Sequence, residues 1–360
     1  MKETMYDCYL SQFTCMKNLL SNKNEILKDY IDFYCKIKPD RIYLIGSGTS
    51  YNSCAVAAPF MEKILGVEVK TVAPSALGNI YGKKPLAIAV SQSGRSTNTI
   101  DAINKLKKIG VPVITLTDPK DSPVGHVGDL AVHLAANNEL IGPRTRGYTA
   151  TVLTLYLMAL EVGLVCKTID ESVYNEAITA YNSTFNNADM YFKACQDFYD
   201  LHYDNLCKIR KYMFAGKDNS AMVAVESALK VIETVIFPAM GFEYDEFLHG
   251  PLCCANEDLG VFLFLTHDDD IGRMLKSADL IGKITENCYL ISNDPSIKGD
   301  KILYLAPENP EYTSVFTNIL FPQLISAKLT VDMARVRHPG VKDIFDNMGT
   351  KASSGDAKIN

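Results

Sequence analysis

Two kinds of apolar pattern alternate along this chain: short unbroken apolar runs, and stripes repeating every three to four residues. The first 39 residues carry only stripes, through Leu10, Phe13, Met16, Leu19 and Leu20 and then Ile26, Leu27, Ile31 and Tyr34, and Pro39 ends them. The run RIYLI (41–45) reads as a buried strand, followed by the turn Gly46 to Ser53 and an alanine-rich helix to about Leu65. Further strands are expected at 67–73, 86–90, 111–116 and 129–135, and a long apolar helix over 150–165. Residues 167–208 read as a helical, tyrosine-rich connection.

A second round then begins. It has a strand at 211–215, a turn at Gly216 to Ser220 and a helix over 221–236. Strands at 260–266, 289–292 and 302–305, a helix around 271–281 and a final apolar helix over 312–334 complete it. Apolar strands alternating with helices predict an α/β fold with two parallel sheets, because right-handed crossovers place helices on both sheet faces. The halves repeat in element order and not in sequence. The expected divisions are an N-terminal helical segment (1–39), a first domain (40–166), the helical connection (167–208), a second domain (209–335) and a C-terminal tail (336–360).

A length of 360 residues fits two domains, and 47% hydrophobic with 22% charged residues is ordinary for a globular chain. The net charge of −6, with no run of Lys or Arg, gives no footprint for nucleic acid. No stretch approaches 18 uninterrupted apolar residues, and the first 20 lack a secretion signal, so neither a membrane span nor export is expected. Ten cysteines are scattered without C-x-x-C spacing, which reads as reduced thiols in a cytoplasmic protein. No metal or cofactor is expected.

Candidate chemistry gathers in three places. Leu86 to Thr99, LAIAVSQSGRSTNT, is a strand running into hydroxyls, an amide and a glycine before a helix. Backbone N–H groups and the positive helix end make such a turn an anion site, although Ser or Thr there also serves as a plain helix cap. The helix 221–236 is apolar except for Glu226, Lys230 and Glu233 on one face. Glu226 and Lys230 fit an exposed helical ion pair, whereas a carboxylate against such a wall suits a general base for carbon acids. His249 precedes Gly250-Pro251, which forces a corner at the imidazole. Taken alone, Glu233 and His249 are as open to a structural role as to a functional one.

GSGTSYNS (46–53), SQSGRSTNT (91–99), ESALKVIE (226–233) and EFLHGPL (246–252) resemble, in that order, the isomerase half of the glucosamine-6-phosphate synthase family, a tandem pair of SIS (sugar isomerase) domains. They also resemble the fructoselysine- and glucoselysine-6-phosphate deglycases. The resemblance covers nearly the whole chain from about residue 40. It implies two flavodoxin-like three-layer α/β/α domains, a sugar phosphate as ligand, and a homodimer with the active site at its interface.

By the same resemblance Thr49, Ser50, Ser91, Gln92, Ser93, Ser96, Gly142 and Arg144 fall in the substrate pocket. Glu233 matches the base moving a proton between C1 and C2, and Lys230 a pocket lysine. His249 matches the ring-opening residue, which the family takes from the neighbouring subunit. Arg144 and Arg146 stand where the synthase pattern has serine and lysine, and Arg95 replaces an acid, so extra guanidinium groups imply a longer or more acidic substrate.

No glutamine-hydrolysing domain is expected within this chain, and the family's tail lysine is matched in spacing by neither Lys342 nor Lys351. A deglycase, whose substrate already carries the amine, is therefore the first expectation. The alternatives are an ammonia-dependent glucosamine-6-phosphate isomerase of aminotransferase type and a non-catalytic sugar-phosphate sensor.

Overall fold

The computed structural model describes residues 3–266 and 271–352, so positions 353–360 of the expected tail lie outside it. Its residues form two compact units. One takes Thr14–Asn175 and the stretch from His338; the other takes the residues up to Phe13 and Glu176–Arg337. The helical start is two helices, α1 (Met5–Ser21) and α2 (Lys23–Ile37), broken at Asn22. Lys38 ends α2 in the left-handed region at φ 50°, directly before Pro39.

The first unit contains β1 (Arg41–Ile45), α3 (Thr49–Leu65), β2 (Glu68–Val72), β3 (Pro85–Ser91), α4 (Thr97–Lys108), β4 (Val113–Thr117), α5 (Pro123–Val127), β5 (Leu130–His133) and α6 (Arg146–Cys166). All strand pairs are parallel, in the order β2-β1-β3-β4-β5. Tyr43, Ala87, Ala89 and Val113 pack against Ile103 and Leu106 of α4 and Val124 of α5, while α3 and α6 pack together, Phe60 stacking on Tyr156 at 4.0 Å between ring centroids. Helix α6 is long and apolar enough to cross a membrane, but 83% of its apolar window is buried inside the protein, which makes it a core helix.

The second unit contains most of α7 (Glu171–Asn186), then α8 (Ala188–Leu206), β6 (Lys211–Gly216), α9 (Asn219–Thr234), β7 (Ala239–Glu243), α10 (Tyr244–Leu248), β8 (Leu259–Leu265), α11 (Ile271–Ile281), β9 (Cys288–Ser292), β10 (Ile302–Tyr304), α12 (Pro310–Asn318) and α13 (Leu320–Asp332). Its sheet is also all parallel, in the order β10-β9-β8-β6-β7. Counted from its own first strand, this is the same order as in the first sheet.

Three elements depart from the sequence expectation. Strand β7 has no counterpart there, because AMGFE is short, half-exposed and contains a glycine. Gly241 is needed: a Cβ on it would come within 2.4 Å of the Ala224 backbone, where α9 lies directly on the strand. The final apolar helix is split at Ile319 into α12 and α13. The tail contains an exposed helix, α14 (Pro339–Asn347), and belongs to the first unit.

Candidate functional site

An open parallel sheet takes ligands where its strand order reverses, beyond the carboxyl ends of the strands. In the first sheet that point lies between β1 and β3, and both hydroxyl-rich turns end there. Thr49 and Ser50 open α3, both buried. Ser91 closes β3 and donates through Oγ to Ser96 Oγ at 3.1 Å. Asn98 Nδ2 donates to Ser47 Oγ at 2.9 Å, tying the two turns together. Ser96 is the N-cap residue of α4 but makes no side-chain capping bond, so the plain helix-cap reading does not account for this turn.

The turn itself is tightly braced. Gly94 adopts φ +63°, and a Cβ there would meet Ser122 Oγ at 2.1 Å, so a close approach of the 118–122 loop requires glycine. Gln92 is buried, and its amide donates to Gly147 O and Thr151 Oγ1, both at 3.0 Å, which fastens the turn to α6. Asp118 N donates to Gln92 O at 3.2 Å. The buried Asp118 carboxylate takes His133 Nε2 at 3.0 Å and the Asn138 amide at 2.7 Å. Burial alone would raise its pKa, but these bonds outweigh burial and leave it below the usual carboxylate range.

The loop from β5 to α6 carries Gly142, which is exposed, and Arg144, which is half-buried. Glu139, buried in this loop, accepts from Thr145 N at 2.9 Å and Gly147 N at 2.7 Å. Arg146 does not add a cation at the turn as the sequence implied. It is buried and donates through Nε to Ala136 O at 2.8 Å, because an arginine at the start of a packed helix is held by the carbonyls of its own loop.

After α14 the chain returns to the Ser91–Ser96 turn. Thr97 N donates to Thr350 O (3.3 Å), Thr97 Oγ1 to Gly349 O (2.9 Å) and Ala352 N to Arg95 O (2.8 Å). Arg95 Nε donates back to Ala352 O at 2.7 Å, and Lys351 Nζ stands 3.4 Å from Ser93 Oγ. Lys342 instead pairs with Asp346 at 2.6 Å on the exposed face of α14. Desolvation first, then the charges of Arg144 and Arg95, hold the Lys351 ammonium below the ordinary lysine pKa.

In the second unit, α9 lays Glu226, Lys230 and Glu233 along one face. Lys230 Nζ is 3.4 Å from Glu226 Oε1 and 2.5 Å from Glu233 Oε2. Glu226 and Lys230 are fully buried, while the Glu233 side chain is 31% exposed. The exposed ion pair allowed by the sequence is thus replaced by a buried triad, because α9 packs against β6 and β7 and against α12 and α13. A partly open carboxylate on a buried ammonium can take a proton from a ligand, while the ammonium steadies the charge. Arg337 Nη2 donates to Glu233 O at 3.1 Å, holding the last turn of α9. His249 follows α10, exposed at the corner that Gly250 turns at φ +146°. Nearby Arg273, by its hydrogen bond, and then Lys217 and His249 by charge, draw the Asp245 carboxyl below the usual range.

Residues 37–161, the stretch holding the whole first sheet, match the model of the SIS domain. Over that stretch the chain is similar to a SIS domain. It is 29% identical over 293 residues to the glutamine-fructose-6-phosphate aminotransferase (isomerizing) of Oceanobacillus iheyensis, covering 80% of this chain and 48% of that one. The chain spans about half the length of the curated relatives it matches. Among solved structures, a protein of Clostridium difficile provisionally designated a phosphosugar isomerase superposes with a TM-score of 0.84 at 25% identity, over 92% of this chain and 94% of that one. The C-terminal domain of glucosamine-fructose-6-phosphate aminotransferase from Francisella tularensis gives 0.78 at 18% identity, covering 94% and 99%, a likeness of fold.

Sequence reasoning left out the Asp118–His133 pair and Glu139. An acid beside proline and an acid in a polar loop carry no periodic signal. Among the described residues no group of three His, Cys, Asp or Glu side chains is placed to hold a metal.

Proposed function

We propose that the protein is a cytoplasmic phosphosugar enzyme built as a tandem pair of SIS domains, which releases the amine from an amine-linked hexose 6-phosphate. The observation that carries this reading is the Lys351 ammonium beside Ser93. It adds a cation to a hydroxyl-rich turn at the positive end of α4 and at a sheet switch point. A phosphate monoester satisfies that set of donors.

Glu233 takes the proton from C1 of the open-chain ketosamine and returns it at C2, leaving an imine between C1 and the amine nitrogen. Water then cleaves the imine into hexose 6-phosphate and free amine. Lys230, 2.5 Å from Glu233, holds the carboxylate in place as an ion-pair partner. His249 opens the ring and is contributed by the second copy of a homodimer; its exposure fits that role. The similarity to isomerizing aminotransferases over 80% of this chain supports the class of reaction.

One observation favours a second reading. Lys351 stands beside Ser93 with its proton affinity lowered, which leaves more of its amine unprotonated; a deglycase does not require such an amine, and an aminotransferase-type isomerase would use it as a nucleophile. Product analysis separates the two. Fructoselysine 6-phosphate should yield lysine and glucose 6-phosphate. Turnover only of fructose 6-phosphate with ammonium would establish the second reading, and binding of both without turnover would establish a sensor.

A further inference from the structure

We infer that Arg95 is a positioning residue, clamping the chain beyond α14 and so delivering the Lys351 ammonium to the phosphate-binding turn. This rests on the reading of that turn given above. Arg95 bonds to Ala352 twice, accepting from its N–H at 2.8 Å through the main chain and donating to its carbonyl at 2.7 Å through Nε. On the other side of Lys351, Thr97 holds Gly349 and Thr350. Ser96 and Lys351 form an antiparallel bridge, so Lys351 sits between two fixed neighbours and its side chain meets Ser93.

Charge alone would not produce this arrangement. Arg95 and Arg144 both repel the Lys351 ammonium, and Lys351 loses hydration as well. Lys351 therefore stays because its backbone is held, and the Arg95 side chain supplies one of the hydrogen bonds that hold it, beside the main-chain bond that residue 95 accepts from Ala352. An acid at this position would attract the lysine directly and would have no donor for the Ala352 carbonyl. With arginine the strap is fastened through the backbone, and the excess of positive charge is relieved only when an anion arrives. Anion binding and tail docking thus reinforce one another, a reciprocal coupling.

The test uses the full chain and its Arg95→Met, Lys351→Met and doubly substituted variants. Hydrogen exchange of residues 349–352 is read without ligand, and affinity for inorganic phosphate and fructose 6-phosphate is read by calorimetry. Arg95→Met should lower protection at 349–352 while leaving β3 protected, and should weaken phosphate binding about tenfold, the effect of losing one charged hydrogen bond. In the Lys351→Met background the same substitution should change affinity less than twofold, because the lysine it positions is gone. Equal losses in both backgrounds would show direct ligand contact by Arg95 and overturn the inference, as would unaltered protection of 349–352. Failure of the unsubstituted protein to bind either anion would instead overturn the reading of the turn, and leaves the exchange result to decide the clamp.

Discussion

The ammonium of Lys351 lies 3.4 Å from the hydroxyl of Ser93, 258 positions earlier in the chain and within the same compact unit. The last described residues therefore complete a turn that the third strand begins. Because desolvation and two arginines lower its proton affinity, Lys351 in the free protein loses its proton at a pH below the ordinary lysine value of 10.5. A bound phosphate favours the protonated form. Phosphate affinity should accordingly hold at neutral pH, then fall as pH rises through the lowered Lys351 value, before a surface lysine would titrate. Calorimetry from pH 7 to 10.5 should show this fall in the native chain and its absence in Lys351→Met; identical profiles would remove Lys351 from the site.

The buried triad on α9 makes a separate prediction about stability. Lys230 is the cation between two carboxylates, one of them fully buried. Lys230→Met removes that cation from both carboxylates, and breaking a buried pair from one side typically costs about 3–5 kcal/mol. Urea denaturation should show a loss of that size, partly restored in the Lys230→Met, Glu226→Gln double variant. A loss below about 1 kcal/mol would mean that the triad is wet.

Asp118 sets how the first unit responds to acid. Its folded pKa lies below the unfolded carboxylate value of 3.8, so its contribution is fully present above that value and disappears as pH falls through the folded one. Asp118→Asn should lower stability by about 1–3 kcal/mol at pH 7, the cost of buried hydrogen-bond partners left without their charge. The difference from the native chain should shrink between pH 4 and 2. A constant difference across that range would assign the effect to packing.

The central strands were readable in the sequence because they are buried on both faces and appear as nearly unbroken apolar runs, and the half-exposed edge strands β2, β5 and β10 because they stand between readable helices and turns. Only β7, an edge strand broken by Gly241, escaped. The hydroxyl turns were equally readable, since their composition differs from the flanking elements. Arg95 and Arg146 looked alike on paper but play different parts: one is held by the tail and the other by its own loop. Whether Lys342 or Lys351 reaches the turn depended on where an exposed helix places the residues beyond it, which local pattern does not encode.

In the proposed reaction, Glu233 moves the proton that frees the amine. The most direct measurement is turnover of fructoselysine 6-phosphate by Glu233→Gln, with fructose 6-phosphate affinity measured on the same preparation. A general base contributes about 10²–10⁴-fold, so kcat should fall at least about a hundredfold while the affinity, set by the Ser91–Ser96 turn and Lys351, stays within about twofold. Near-normal turnover by Glu233→Gln would contradict the account.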